Sequence, residues 1–190
     1  MVDRKNLKLT NKKSALISVY KKTGLEKLCS TLKHYNIDII STGVTANKIK
    51  KLGYHCKKVS NITRFKEILN GRVKTLHPNI YASILFKRNN KKQLNEFKKL
   101  IFPKIDFVIV NLYPFEKYKN ANNQKTIEMI DIGGVALLRS AAKNFNFVTS
   151  ICDNHDYDKL INNLKKNSGE TSIDFRKIMA QKAFEKSANY

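Results

Sequence analysis

The sequence contains little cysteine, and its three cysteines lie too far apart to form a paired site. Cys29, Cys56 and Cys152 include no CxxC and no other closely spaced pair. Zinc sites and redox-active dithiols need such paired spacing, so the positions of the cysteines argue against both kinds of centre. We expect three reduced thiols that are buried or half-buried.

Long hydrophobic runs are also missing. No apolar stretch approaches the length that spans a bilayer, and the charged residues 1–13 contain no apolar core of a signal peptide. These absences predict a cytoplasmic protein with no membrane partner. We interpret residues 1–13 as a basic N-terminal extension and residues 14–190 as one domain, since this length suffices for one substantial hydrophobic core.

Acidic residues are scarce, with 15 Asp and Glu against 37 Lys and Arg, which gives a formal net charge of +22. Such a charge is common in proteins that bind nucleic acid or another polyanion. Here the excess comes almost wholly from scattered Lys, whereas base and phosphate recognition favours Arg and interleaved aromatic residues. We therefore interpret the charge as a solvated Lys bias and expect no specific nucleic-acid partner.

Short apolar runs alternate with segments of helical spacing. The clearest run, residues 107–110, is typical of a strand buried on both faces of a parallel sheet. The predicted strands are 14–19, 37–40, 54–59, 80–86, 107–110 and 147–151. The predicted helices are 25–35, 44–52, 65–69, 91–100, 126–130, 135–143, 155–164 and 172–187, with a break at Gly133-Gly134. This alternation predicts an α/β fold with a doubly wound, mostly parallel sheet, helices on both faces, and sites at the carboxyl ends of the strands.

Two predicted strand ends carry residues suited to binding a phosphate. Ser41-Thr42-Gly43 follows the second strand and opens a helix, where free backbone N–H groups and the helix dipole favour an anion. Ser18 and Lys22 lie at the corresponding end of the first strand. The alternative interpretation of both segments is simple helix capping, which is common.

The segment Gly71-Arg72-Val73-Lys74-Thr75-Leu76-His77-Pro78 combines a turn residue, two cations and a hydroxyl. In an extended segment Arg72 and Lys74 point to the same side, so one face carries positive charge. The alternative is a solvated basic loop. No carboxylate or nucleophile is paired with His77 in the sequence, which favours a structural or ligand-orienting role for this imidazole.

Two further motifs bring polar groups to the sheet. Asn111-Leu112-Tyr113-Pro114 leaves a buried strand, and its amide and phenol can hydrogen-bond a heterocycle. Asp131-Ile132-Gly133-Gly134 lets a ligand approach the backbone closely because glycine has no Cβ, while Asp131 offers a base or an orienting acceptor. An ordinary strand exit and a plain helix N-cap are the alternatives. Lys143, near the end of the following helix, also fits a cation placed at the negative pole of that helix.

The order and spacing of these motifs resemble the inosine monophosphate cyclohydrolase domain of the bifunctional purine-biosynthesis family. The resemblance runs from about Ala15 to the end, and residues 71–78 and 130–134 are its most specific strings. Residues 183–190 resemble the family's junction with a second, formyl-transferring domain, which we expect to be absent here. The chain departs from the usual family residues at Tyr20, Lys21, Val44, Tyr81 and Ser83.

The resemblance implies a methylglyoxal synthase-like fold, a homodimer, and closure of 5-formamidoimidazole-4-carboxamide ribotide to inosine monophosphate with loss of water. It implies no metal or organic cofactor. The implied catalytic residues are Lys74 for the oxyanion, Tyr113 for hydrogen bonding, and a pair formed by Asp131 and Lys143 for proton transfer and orientation. The implied phosphate ligands are Ser18, Lys22, Ser41, Gly43 and Thr75, and the implied pocket lining is Arg72, Asn111 and Gly133.

Three other functions are alternatives to this hypothesis. Methylglyoxal synthase chemistry needs its own arrangement of carboxylate and His, which this chain lacks. A non-catalytic module that binds a purine nucleotide or a protein partner is suggested by the altered loop after the second strand, but all four implied catalytic side chains are retained. A nucleic-acid-binding protein is supported by net charge alone.

Overall fold

The fold is built on one sheet of five parallel strands in the order β3-β2-β1-β4-β5. A computed structural model describes residues 12–100 and 102–190, so all but the last two residues of the predicted N-terminal extension lie outside it. The strands are β1 (Ser14–Val19), β2 (Asp38–Ser41), β3 (Lys57–Lys58), β4 (Phe107–Asn111) and β5 (Thr149–Ile151). The chain first winds from β1 towards β3 and then returns to add β4 and β5 on the other side of β1, which is the doubly wound arrangement predicted.

Helices cover both faces of this sheet. They are α1 (Leu25–His34), α2 (Gly43–Lys51), α3 (Val59–Thr63), α4 (Pro78–Leu85), α5 (Lys91–Lys99), α6 (Asn123–Glu128), α7 (Ile132–Lys143), α8 (Tyr157–Lys166) and α9 (Ile173–Ala188). Among the described residues, none of these helices is both long and apolar enough to cross a membrane.

Successive strand residues face opposite sides, which divides the core into two clusters. On β1, Ile17 packs with residues of α1, α2 and α8 on one face. Its neighbour Leu16 packs with residues of α4, α7 and α9 on the other. Both side chains are fully buried, so the central strand packs against apolar residues on both faces of the sheet.

The three cysteines are free and buried, as expected. Burial raises the pKa of the Cys29 thiol to about 12 and the pKa values of Cys56 and Cys152 to about 11. These thiols therefore stay protonated near neutral pH, which makes them poor nucleophiles.

The predicted strand at residues 80–86 is wrong, because this segment forms helix α4. His77 is the N-cap, and its Nδ1 accepts a hydrogen bond from the backbone N–H of Asn79 at 3.2 Å. Pro78 occupies the first turn, where its fixed φ favours the helix and its missing N–H costs nothing. The structural role favoured for His77 is the one it has here.

Other boundaries also differ from the predictions. The third strand is only two residues long because Val59 already begins α3, and the predicted helix at 65–69 is replaced by a non-helical segment that ends in the 3₁₀ turn Leu69–Gly71. Gly133 and Gly134 do not break a helix but lie in the first turn of α7. The cap at Asp131 starts the helix before them, which outweighs their low helix propensity.

Candidate active site

The candidate site lies at the carboxyl edge of the sheet, where β1, β2 and β4 end side by side. Ile17 is in register with Ser41, and Val19 with Asn111, so the loops after these three strands leave the sheet together. A parallel doubly wound sheet binds its ligands at this edge, near the point where the winding direction reverses.

Asp131 is the N-cap of α7, and its Oδ1 accepts a 2.7 Å hydrogen bond from the backbone N–H of Gly134. Burial raises the pKa of this carboxyl group. Hydrogen bonds from the backbone of Gly134 and Tyr113 and the positive charge of Lys74 act in the opposite direction. The charge of Lys74 and the backbone of Tyr113 therefore act on the Asp131 carboxylate, although these residues come from three separate segments of the chain.

The first turn of α7 lies against the loop that carries Lys74. A Cβ at Gly133 would stand 2.9 Å from Oγ1 of Thr75, and a Cβ at Gly134 would stand 2.5 Å from Oδ2 of Asp131. Both distances are shorter than a carbon–oxygen contact tolerates, so a side chain at either position would have to displace the neighbouring oxygen. Thr75 is itself buried, which fixes the loop against the helix.

The N-terminus of α2 holds a carboxylate that sequence reasoning missed. Gly43 has a φ of +44° and donates its backbone N–H to Oε1 of Glu67 at 3.1 Å. The other oxygen of Glu67 lies 3.8 Å from the position of a Cβ on Gly71, and so does Nζ of Lys74. The only signal in the sequence is an acidic residue in an otherwise basic loop.

Val44 does not distort this turn. The positive φ falls on Gly43, and Val44 is not among the residues with positive φ. Its side chain is 76% exposed and points away from the core. The departure from the usual family residue therefore leaves the backbone of the α2 N-terminus in place.

The other predicted phosphate ligands are held by backbone contacts. Ser41 is fully buried and donates its hydroxyl to the carbonyl of Ile17 at 2.5 Å. The ammonium group of Lys22 donates to the carbonyls of Val19 and Tyr20, and burial lowers its pKa. Ser18 is half-buried on β1. In this structure Ser41 and Lys22 stabilise the strand ends rather than present free groups to solvent.

Asn111 joins β4 to the loop after β1. Its Oδ1 accepts from the backbone N–H of Lys21 at 2.8 Å, and its Nδ2 donates to the carbonyl of Lys21 at 3.0 Å. The ring of Tyr20 meets the ring of Tyr113 edge-on at 5.6 Å. Together these contacts set the position of Tyr113 beside the site.

Arg72 forms a salt bridge with Glu128 at the end of α6. Both side chains are about half exposed, and the hydrogen bond that the Arg72 guanidinium donates to Glu128 raises the pKa of Arg72. The pair fixes the loop of Lys74 relative to α6. Solvent screens an exposed pair of this kind, so it contributes little to stability.

The predicted pairing of Asp131 with Lys143 does not form within the chain. Asp131 caps the first turn of α7, whereas Lys143 is the last residue of the same uninterrupted helix. At 1.5 Å per residue the two lie about 18 Å apart. Lys143 is exposed at the opposite edge of the sheet, and Asn144 next to it donates to the carbonyl of Ile84 at the end of α4.

Two family models match the chain. Residues 24–136 match the model described as MGS-like domain. Residues 141–190 match the model described as AICARFT/IMPCHase bienzyme. The first match includes every candidate site residue from Gly43 to Gly133 and the second includes α8, α9 and the C-terminal end.

Individual proteins and one solved structure are also similar to this chain. The chain is 47% identical over 178 residues to the bifunctional purine biosynthesis protein PurH of Aquifex aeolicus, covering 93% of this chain and 35% of that protein. It is 45% identical over 181 residues to PurH of Caldicellulosiruptor bescii, covering 94% and 35%. The chain thus spans about a third of the length of these relatives. A crystal structure of ForH is similar over 94% of this chain and 95% of that one, with 30% identity and a TM-score of 0.82.

Proposed function

The chain belongs to the MGS-like domain family, and we propose that it is an inosine monophosphate cyclohydrolase. The proposed reaction closes the ring of 5-formamidoimidazole-4-carboxamide ribotide, the last step of de novo purine biosynthesis. The similarity to PurH over nearly the whole chain supports this assignment. A cytoplasmic location and a homodimeric state belong to the same proposal.

The observation that carries the proposal is the packing of the Lys74 loop on Gly133, which brings Lys74 beside the Asp131 carboxylate and the backbone of Tyr113 at the N-terminus of α7. In the reaction, the carboxamide nitrogen of the substrate attacks the carbon of its own formyl group. The carboxamide nitrogen gives up one proton and the formyl oxygen gains it. The resulting hydroxyl group then leaves as water together with the proton of the formamido nitrogen, as the C=N bond of the new ring forms. Because both reacting groups belong to one molecule, holding them close together supplies much of the rate.

The three side chains match the charges that develop. The formyl oxygen becomes negative as the ring closes, and the ammonium group of Lys74 and the positive end of α7 stabilise that charge. Asp131 accepts the proton of the nitrogen, and burial raises its pKa towards the range useful for a base. Tyr113 orients the substrate through its phenol.

The phosphate of the ribotide is proposed to bind at the N-terminus of α2. Gly43 offers a backbone N–H there, and the carboxylate of Glu67 now takes the place of an anion. The phosphate would displace Glu67 and recruit Lys22, Ser18 and Thr75. Ser41 contributes by fixing the end of β2, and Arg72, Asn111 and Gly133 line the remaining pocket.

The homodimer is supported by apolar side chains exposed near the site. Leu69, Ile127 and Ile132 are 67%, 54% and 64% exposed, and they lie on the loop before Lys74, on α6 and at the start of α7. Covering these side chains in a second copy would remove apolar surface from water. Sedimentation equilibrium tests the dimer, and a monomer at micromolar concentration would contradict it.

A direct assay separates the enzyme from a nucleotide-binding module. The purified chain is mixed with the formylated ribotide, and inosine monophosphate is followed by ultraviolet absorbance and confirmed by mass spectrometry. Turnover that is lost in Asp131→Asn supports the cyclohydrolase. Binding of the ribotide without turnover would instead favour the non-catalytic module. The structural argument for that module is the carboxylate of Glu67, which lies in the proposed phosphate position.

A further inference from the structure

Tyr190 reaches from the end of α9 into the turn that precedes Asp131. Its hydroxyl donates to the carbonyl of Met129 at 2.7 Å and accepts from the backbone N–H of Asp131 at 3.0 Å. These two bonds span the three residues that join α6 to α7. One phenol therefore sets the geometry of the backbone that carries the Asp131 carboxylate.

The ring of Tyr190 also touches the segment that carries Tyr113. It lies 6.3 Å from the ring of Phe115, and the backbone N–H of Phe115 donates to the carbonyl of Tyr113 at 2.9 Å. Tyr190 thus contacts both the segment that carries Asp131 and the segment that carries Tyr113. Burial raises the pKa of its phenol, so it stays protonated and keeps its donor at neutral pH.

The hydroxyl is not needed to hold α9 on the protein. Arg139 of α7 donates to Oγ of Ser187 at 3.2 Å and lies over the ring of Phe184 at 5.3 Å. Met179, Ala180 and Ala183 of α9 are buried in the core. These contacts anchor the helix, so the polar end of Tyr190 has a local role at the turn before Asp131.

We propose that Tyr190 is a positioning residue for the cyclisation site, which holds the Met129–Asp131 turn so that the Asp131 carboxylate faces Lys74 and the substrate. This inference rests on the proposed cyclohydrolase function. It differs from a packing role because it depends on the oxygen of Tyr190 and not on its ring.

The first test compares Tyr190→Phe with Tyr54→Phe, which removes a hydroxyl from a tyrosine packed on the other face of the sheet. We expect Tyr190→Phe to lower kcat by about tenfold, the loss that corresponds to one hydrogen bond of ordinary strength, with KM within about twofold of wild type. The acid limb of its kcat–pH profile should move to lower pH, because a looser turn admits water to Asp131 and relaxes its raised pKa. Tyr54→Phe should match the wild type in all three readouts.

The second test does not depend on turnover. Hydrogen exchange of the Asp131 amide, measured by nuclear magnetic resonance, should be faster in Tyr190→Phe than in wild type and unchanged in Tyr54→Phe, since the amide loses its acceptor. Unchanged exchange, or a kcat equal to that of wild type, would overturn the positioning role. If the wild type itself fails to make inosine monophosphate, the proposed function fails, and the exchange result alone then decides what Tyr190 does to the turn.

Discussion

The carboxylate of Glu67 accepts a 3.1 Å hydrogen bond from the backbone N–H of Gly43 at the first turn of α2. A carboxylate at a helix N-terminus stands where a phosphate would bind, so the two anions compete for one place. Glu67→Gln removes the competing charge, and we expect it to bind inosine monophosphate up to about fivefold more tightly. Isothermal titration calorimetry measures the dissociation constant, with Glu96→Gln on the exposed face of α5 as the matched control. Equal or weaker binding by Glu67→Gln would contradict the assignment of the phosphate to α2.

Gly133 provides a test of the contact between α7 and the Lys74 loop. In Gly133→Ala the new methyl group meets Oγ1 of Thr75 at 2.9 Å, and we expect a loss of about 1–3 kcal/mol in the free energy of unfolding. The double variant with Thr75→Ala removes the obstructing atom and should recover part of that loss. Urea unfolding of the wild type, the two single variants and the double variant gives the coupling energy between the two positions. Strictly additive effects would show that the two residues are not in contact.

The raised pKa of Asp131 has a consequence for stability. An acid whose pKa is higher in the folded state than in the unfolded state contributes stability below its unfolded pKa, about 3.9, and that contribution is lost as pH rises through the folded pKa. Asn cannot ionise but still caps Gly134. The free energy of unfolding of Asp131→Asn, relative to that of wild type, should therefore be higher at roughly pH 7 than at roughly pH 3.5. Denaturant unfolding at both pH values checks the sign, and a relative decrease would mean that the carboxylate form is the one stabilised by folding.

Lys74 and Lys143 should behave differently, because only Lys74 lies beside Asp131. Lys74→Ala removes the cation that stabilises the oxyanion, and we expect kcat to fall by about a hundredfold or more. Lys143→Ala removes an exposed cation at the far end of α7, so kcat should stay within about twofold of wild type. Steady-state kinetics of the two variants measure the contrast. A comparable loss of kcat in both variants would contradict the placement of Lys143 away from the reacting groups.

The sequence predicted the fold well where apolar runs are continuous. The strand at Ser14–Val19 and the helix ended by Lys143 follow directly from such patterns. The close spacing of apolar residues in 80–86 predicts a strand, whereas the residues that helix α4 buries, Ile80, Ser83 and Ile84, have helical spacing. Pro78 at the first position of that helix was the signal that outweighs the run.

The residues of the site were predictable from the sequence, but the distances between them were not. Lys74, Tyr113 and Asp131 follow from motifs that end at one edge of a parallel sheet. The Asp131–Lys143 pair is implied by the family resemblance alone, whereas the Asp131 cap begins a continuous helix that Lys143 ends, so the two residues lie at opposite ends of it. Glu67 and Tyr190 act through contacts between segments distant in sequence, for which no local pattern exists.

The most direct test of the central claim is the rate of inosine monophosphate formation by this chain and by Asp131→Asn. We predict that the wild type converts the formylated ribotide to inosine monophosphate with release of one water per molecule. Asp131→Asn should bind the product within a few-fold of wild type but turn over at least about a hundredfold more slowly, as expected for the loss of a general base. Equal rates in the two proteins would contradict the role assigned to the Asp131 carboxylate, and no product from the wild type would contradict the proposed function.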